Sequence, residues 1–141
     1  MSRMHDFFLF ADAVMVGIIW AVQLIVYPGF SYFSRERLLR WHDSYSRRVT
    51  ILVAPLMLTQ LGFGVFWAFS EPGIASLGYV GVAGLLWAIT FMAFVPIHRR
   101  IGQGTATPHV LARLVSLNAI RTFLWTLLLL WHLYFSCFPL A

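Results

Sequence analysis

The stretch LVSLNAIRTFLW, residues 114–125, is apolar enough for the interior of a bilayer, yet Asn118 and Arg121 lie near its centre. It belongs to an apolar segment at 110–135, in which Arg121 would lie roughly 16 Å from the helix start at about 1.5 Å per residue. An arginine at that depth cannot bring its guanidinium to the headgroups by its own length. A guanidinium at mid-membrane costs about 2.5–3.5 kcal/mol on insertion scales. The segment therefore predicts a membrane helix whose polar face turns toward other helices.

Three further apolar segments precede this one, at 7–29, 50–69 and 75–97. Each approaches or exceeds the ~20 residues that a helix needs to cross ~30 Å of hydrocarbon. The chain of 141 residues is 60% hydrophobic, with a mean hydropathy of +0.80, and a water-soluble domain of this size cannot bury so much apolar surface. No segment alternates with the period of two that is typical of strands. We therefore predict a single all-α domain over residues 1–141, an integral membrane four-helix bundle.

The link between the first two spans carries a helical pattern of its own. Leu38, Trp41, Tyr45 and Val49 recur at helical spacing, and arginines fill the opposite face. We predict a short amphipathic helix over residues 34–48 at the cytoplasmic interface, which either ends before the second span or runs directly into it.

The charges predict an orientation for the bundle. All 10 basic residues are arginine, and most of them lie in the two links that share one side of a four-helix serpentine. By the positive-inside rule, both links are cytoplasmic and both termini lie outside, in what we expect to be a bacterial inner membrane. The net charge of +5 then serves orientation and contact with lipid headgroups, and we expect no nucleic-acid partner.

Each predicted helix has polar or aromatic residues on one side. In the fourth helix, Asn118, Arg121, Thr122 and Trp125 share a face, because they stand at i, i+3, i+4 and i+7. In the other helices the residues that we expect to face them are Gln23, Tyr27, Gln60 and Trp87. Two interpretations stay open. The polar residues hold the helices together, or they line a cavity whose ligand supplies the anionic oxygen that Arg121 lacks.

The histidines offer acid–base chemistry. His42 and His98 both fall near the predicted cytoplasmic mouth. Three interpretations stay open for them: a proton-transferring pair, ordinary interfacial histidines, or part of a metal site. His132 and Asp12 both lie in outer halves, so they are a candidate pair. Four-helix membrane bundles also hold b-type haem between histidines, but the sequence has no HxxxH, HxxE or ExxH motif. We expect no bound cofactor or metal and keep haem or a metal ion as the alternative.

Three short motifs resemble small four-helix membrane proteins of the anthrone-oxygenase-like group. They are QLIVYPGF at 23–30, VPIHRRI at 95–101 and LNAIRTFLW at 117–125. The resemblance implies a four-helix fold and oxidation of an electron-rich aromatic polyketide without a bound cofactor. By motif position it implies functional roles for Pro96, His98, Asn118 and Arg121, and also for Tyr27 and Pro28.

We therefore predict a small membrane enzyme that acts on a lipophilic, oxygen-bearing substrate in a polar intramembrane cavity, as a cofactor-independent oxygenase or a related oxidoreductase. Arg121 and Asn118 would hold the developing oxyanion, and His42 or His98 would move the proton. The predicted substrate-binding residues are Gln23, Tyr27, Gln60, Trp87 and Trp125.

Two non-catalytic alternatives remain. One is an accessory or binding subunit of a larger membrane complex, and the other is a haem- or metal-binding electron carrier. Gly78, Gly81 and Gly84 recur every third residue, which favours close helix packing within the bundle or in a homo-oligomer. Apart from such partners, we expect contacts with membrane lipids and with the small-molecule substrate.

Overall fold

The computed structural model describes residues 2–138, which form four long helices joined by short links. We label them α1, which begins with Ser2–Ala21 and ends with the turn Phe30–Tyr32, α2 (Arg35–Ser70), α3 (Ile74–Gly102) and α4 (Pro108–Cys137). No strand occurs within residues 2–138, so the prediction of an all-α chain is confirmed. Each of the four predicted apolar segments lies within one of these helices.

The four helices are each long and apolar enough to cross a membrane. Their outer faces carry large hydrophobic side chains, among which Phe69 is 86% and Met92 81% exposed. A continuous apolar surface of this extent is foreign to soluble monomers. It is the surface that a lipid environment would cover.

The link at 34–48 differs from a separate short helix. Residues 35–48 are the first turns of α2, which runs without a break from Arg35 to Ser70. Between Arg35 and Pro55 the sequence contains neither glycine nor proline, so nothing in this part of α2 ends the helix. The amphipathic pattern still operates, because Leu38 and His42 are buried while the arginines around them face outward.

Two π-helical segments interrupt α1 and α3, at Val22–Val26 and at Thr90–Phe94. Both end two residues before a proline, Pro28 in α1 and Pro96 in α3. Proline has no N–H to donate, and its ring clashes with the carbonyl of residue i−4, so the preceding turn widens. Pro55 in α2 causes no such segment, so packing around the two widened turns also contributes.

Glycines allow close contact at two places in the bundle. A Cβ atom at Gly78 would lie 2.6 Å from Trp131 Cζ2, and one at Gly64 would lie 2.9 Å from Tyr79 Cδ1. Gly81 and Gly84 have no neighbouring atom within 4 Å of that position. Of the three predicted packing glycines in α3, only Gly78 therefore packs closely within the bundle.

Candidate functional site

A hydrogen-bonded chain of side chains connects α1, α3 and α2 near the arginine-rich end of the bundle. The hydroxyl of Tyr27 lies 3.1 Å from His98 Nε2, and His98 Nδ1 lies 2.8 Å from His42 Nε2. Ser46 Oγ continues the chain, 3.3 Å from the same nitrogen of His42. The structure thus brings together the two histidines that the sequence placed at this mouth. If Nε2 of His98 accepts from Tyr27, Nδ1 carries the proton and donates to His42.

Arg121 lies near the middle of α4 and is 5% exposed. Its guanidinium carbon stands 4.1 Å from the ring centre of Phe94 and 4.7 Å from that of Trp125. These cation–π contacts stabilise the charge in a site with little water. Among residues 4–138, no carboxylate forms an ion pair with Arg121 and its Nε atom has no hydrogen-bond partner.

Asn118 occupies the preceding turn of the same face and is fully buried. Its amide nitrogen donates to Gln23 Oε1 at 2.9 Å, as the sequence predicted for residues turned inward. Thr122 donates to the backbone carbonyl of Asn118 at 2.9 Å. Asn118 Oδ1, like Arg121 Nε, has no hydrogen-bond partner within the described chain. Buried polar atoms are nearly always paired, so two such atoms one turn apart are unusual.

Each π-helical segment supplies a side chain that contacts this face of α4. Gln23, which binds Asn118, belongs to the segment in α1, and Phe94, which stacks on Arg121, belongs to the segment in α3. Such widened turns frequently occur at functional sites, because they reorient side chains that a regular helix would hold elsewhere. Gln23 of the motif at 23–30 contacts Asn118 of the motif at 117–125, and Tyr27 contacts His98 of the motif at 95–101, so the three motifs meet in space.

A cavity of about 540 Å³ lies beside this group of residues. Its walls are the end of α1, the start of α2, the link between α3 and α4, and the first turns of α4. They are mostly apolar, and Arg35 is the charged side chain among them. Tyr27 both lines the cavity and belongs to the chain that leads to His98 and His42.

Three predicted substrate-binding residues, Gln60, Trp87 and Trp125, do not line this cavity. Gln60 donates to Asp12 Oδ1 at 2.7 Å and accepts from the indole of Trp125 at 3.1 Å. Gln60, Trp125 and Trp87 line a void that is too small for a water molecule. The indole of Trp87 donates to the carbonyl of Met57 at 3.3 Å. Gln60 therefore does not join Gln23 and Asn118. Gln60, Trp87 and Trp125 are part of the packed interior.

A second polar cluster lies toward the opposite end of the bundle. Asp12 Oδ2 accepts from His132 Nδ1 at 2.7 Å, which is the pairing that the sequence suggested. Tyr79 donates to Asp12 Oδ1 at 2.8 Å, and His5 Nδ1 lies 3.2 Å from His132 Nε2. Asp12, Tyr79 and His132 are all buried.

Neither histidine pair fits axial ligation of haem as it stands. Two imidazoles on opposite sides of an iron need about 4 Å between their nitrogens, given metal–nitrogen bonds of about 2.0–2.1 Å. The facing nitrogens are 2.8 Å apart in one pair and 3.2 Å in the other. Within residues 4–138, no group of three or more His, Cys, Asp or Glu side chains is arranged to hold a metal ion.

The sequence missed two residues at this site. Phe94 stacks on Arg121, and Tyr45 lies close to Tyr27, with ring centres 6.4 Å apart. Tyr45 was assigned to an amphipathic surface and Phe94 to an ordinary apolar span. The position of Phe94 two residues before Pro96, matching that of Val26 before Pro28, was the available signal.

Comparison with known proteins adds no relative. No protein-family model, no curated protein and no solved structure matches the chain.

Proposed function

We propose that this chain is a small integral membrane enzyme that acts on a lipophilic, oxygen-bearing substrate. One observation carries the proposal: Tyr27 lines the cavity, and its hydroxyl lies 3.1 Å from His98 Nε2. A group in the cavity wall is thereby connected to two imidazoles that can take up or release a proton. Structural polar contacts alone would not need such a chain to begin at an open cavity.

In this proposal the bundle spans a bacterial inner membrane, with both termini outside and the cavity in the cytoplasmic half. The apolar outer surface supports insertion, and the arginines of both links support the orientation. The first turns of α2 lie at the cytoplasmic interface, with their arginines among the headgroups. Substrate enters from the lipid, where its concentration is highest.

The cavity suits a lipophilic molecule of moderate size. Pockets of about 300–1,000 Å³ hold ligands of drug size, and the volume here is about 540 Å³. The apolar walls hold the body of the substrate, and Tyr27 orients its reactive end. Asn118 and Arg121 lie beyond Tyr27, because Val115 of the preceding turn still lines the cavity while these two residues are buried.

The chemistry begins with proton transfer. Tyr27 passes a proton from the substrate to His98, and His42 and Ser46 extend the path. Negative charge that develops on a substrate oxygen is stabilised by the Arg121 guanidinium, which lacks a carboxylate partner among the described residues. The electron-rich anion then reacts with dioxygen: a CH₂ group becomes C=O, and the second oxygen atom leaves as water.

The test is oxygen consumption by purified protein in nanodiscs with a panel of 1-naphthols and anthrones, whose keto tautomers carry the CH₂ group that the reaction oxidises. We expect turnover of at least one compound, and we expect Tyr27→Phe to lower kcat by about 10²–10⁴-fold, the usual contribution of a positioned acid or base. Tyr32→Phe is the matched control, because Tyr32 is 91% exposed. Absence of turnover across the panel, or full activity of Tyr27→Phe, would refute the proposal.

A subunit of a larger complex is the second candidate, and one observation favours it. Gly81 and Gly84 leave open space along α3, where another helix could approach closely. Copurification with another protein at fixed stoichiometry would support this candidate. A bulky side chain at this surface, as in Gly81→Leu, would then release the partner while the bundle stays folded.

The haem alternative has a direct optical test. We expect protein absorbance alone from mildly purified protein, both air-oxidised and reduced with dithionite. A Soret band that shifts on reduction would instead make the histidines iron ligands, since haem proteins show this change. It would also require the pairs described above to separate.

A further inference from the structure

We infer that the substrate group bound between Asn118 and Arg121 is a hydroxyl, as in a phenol, enol or alcohol. This inference rests on the proposed function and specifies its substrate class. It follows from two atoms, Asn118 Oδ1 and Arg121 Nε, which are buried and have no partner within the described chain.

The two atoms belong to one face of α4, one helical turn apart. Asn118 is 0% and Arg121 5% exposed, so bulk water does not serve them. The other end of the Asn118 amide is fixed by its bond to Gln23 Oε1 at 2.9 Å. Oδ1 is therefore an acceptor without a donor, and Arg121 Nε–H is a donor without an acceptor. Leaving both unpaired costs free energy that a suitable ligand recovers.

The complementary group must accept one hydrogen bond and donate another. A hydroxyl does both, because it has one O–H and two lone pairs. A ketone, quinone, ether or carboxylate only accepts, so it would leave Asn118 Oδ1 unpaired. An ammonium only donates, and the charge of Arg121 would repel it. Buried water has the same bonding capacity as a hydroxyl, so the substrate would displace a water from this position.

A hydroxyl here agrees with the proposed chemistry. When the hydroxyl proton leaves along the path that begins at Tyr27, negative charge develops on the hydroxyl oxygen. The charge-assisted bond from Arg121 Nε then strengthens during the reaction. Tyr27 lines the cavity and lies close enough to Arg121 to interact with it, so a substrate that reaches Arg121 from the cavity would displace the Tyr27 ring. The π-helical segment ends immediately before Tyr27.

Three probes of similar shape test the inference: 1-naphthol, 1-methoxynaphthalene and naphthalene. Their affinities are measured by calorimetry with protein in nanodiscs, and partition into empty nanodiscs is subtracted. We expect 1-naphthol to bind at least about 10-fold more tightly than the other two, because a site built to bind a hydroxyl discriminates strongly against analogues that lack it.

Variants locate the discrimination. Asn118→Leu removes the acceptor and is expected to bring the ratio close to 1. Ser116→Ala is the control, because Ser116 belongs to the same helix but is exposed and its hydroxyl donates to the carbonyl of Ala112, and we expect the ratio to persist. Arg121→Lys keeps the cation without Nε and should also lower the ratio. If Asn118→Leu does not fold, the binding ratio of Arg121→Lys tests the inference in its place.

Equal binding of the three probes by the unaltered protein would overturn the inference and assign the position to water. A preference for 1-naphthol that survives both Asn118→Leu and Arg121→Lys would also overturn it. If the preference depends on these residues but no compound is turned over, the hydroxyl site stands and only the enzymatic proposal fails.

Discussion

Nδ1 of His132 lies 2.7 Å from Oδ2 of Asp12, and this buried contact joins the first helix to the last. The other carboxylate oxygen accepts from Gln60 in α2 and from Tyr79 in α3. A single side chain of α1 thus binds one side chain from each of the other helices. Because lipid is as apolar as a leucine side chain, polar contacts of this kind help to specify how membrane helices pack.

Replacing Asp12 with Asn is expected to destabilise the bundle by about 1–3 kcal/mol, the usual cost of leaving a buried hydrogen-bonding group unsatisfied. The amide nitrogen of the new residue would face groups that now donate hydrogen bonds to the carboxylate. Unfolding in mixed micelles with increasing SDS, followed by circular dichroism, measures the change. Asp43→Asn is the control, since the Asp43–Arg47 pair is exposed and should contribute only about 0–1 kcal/mol. Equal stability of the two variants would contradict this account.

Gly78→Ala is expected to destabilise the protein by about 1–3 kcal/mol, the range for overpacking. The added Cβ would lie 2.6 Å from the ring of Trp131, and that ring is held by a bond from its indole to the carbonyl of Ala75. Gly81→Ala offers a matched comparison with open space around the new atom. It should be neutral or slightly stabilising, by up to about 1 kcal/mol, because alanine favours helix. The same unfolding assay compares them, and a greater loss for Gly81→Ala would contradict the observed packing.

The sequence was sufficient for the four helices and for much of the site. Hydropathy and length locate long apolar helices with little ambiguity, and helical spacing identified the inward faces that hold Asn118, Arg121 and Gln23. The pairing of His42 with His98 followed from their common end of the bundle. Periodicity describes a face of one helix, however, and it does not give the relative height of residues on different helices.

That limit explains the residues that were misplaced. Gln60 binds Asp12 instead of Gln23 and Asn118, because α2 begins at Arg35 and its register against α1 depends on the whole bundle. The cavity was equally hidden from the sequence. It is built mainly from helix ends and the link between α3 and α4, where the hydrophobic periodicity of a helix does not predict which side chains face inward.

Trp125→Phe tests whether the hydrogen bond between Trp125 and Gln60 stabilises the packed interior. Phenylalanine keeps an aromatic ring near Arg121 but removes the indole that donates to Gln60 Oε1 at 3.1 Å. A buried acceptor left unpaired should cost about 1–3 kcal/mol. The double variant Trp125→Phe with Gln60→Leu removes both partners, and Gln60→Leu alone provides the remaining corner of a double-mutant cycle. Strictly additive losses in SDS unfolding would show that the bond contributes nothing.

The orientation of the bundle can be measured with its single cysteine. Cys137 is exposed at the end of α4, so a membrane-impermeant maleimide should label it in intact bacterial cells that express the protein. Gln103 is exposed in the link between α3 and α4, beside the arginines that predict a cytoplasmic location. Gln103→Cys in a Cys137→Ser background should therefore react only after the cells are permeabilised. Cys137→Ser alone controls for background labelling. The reverse pattern would place the termini in the cytoplasm and the cavity in the outer half of the membrane, so the His98–His42 chain would exchange protons with the outside.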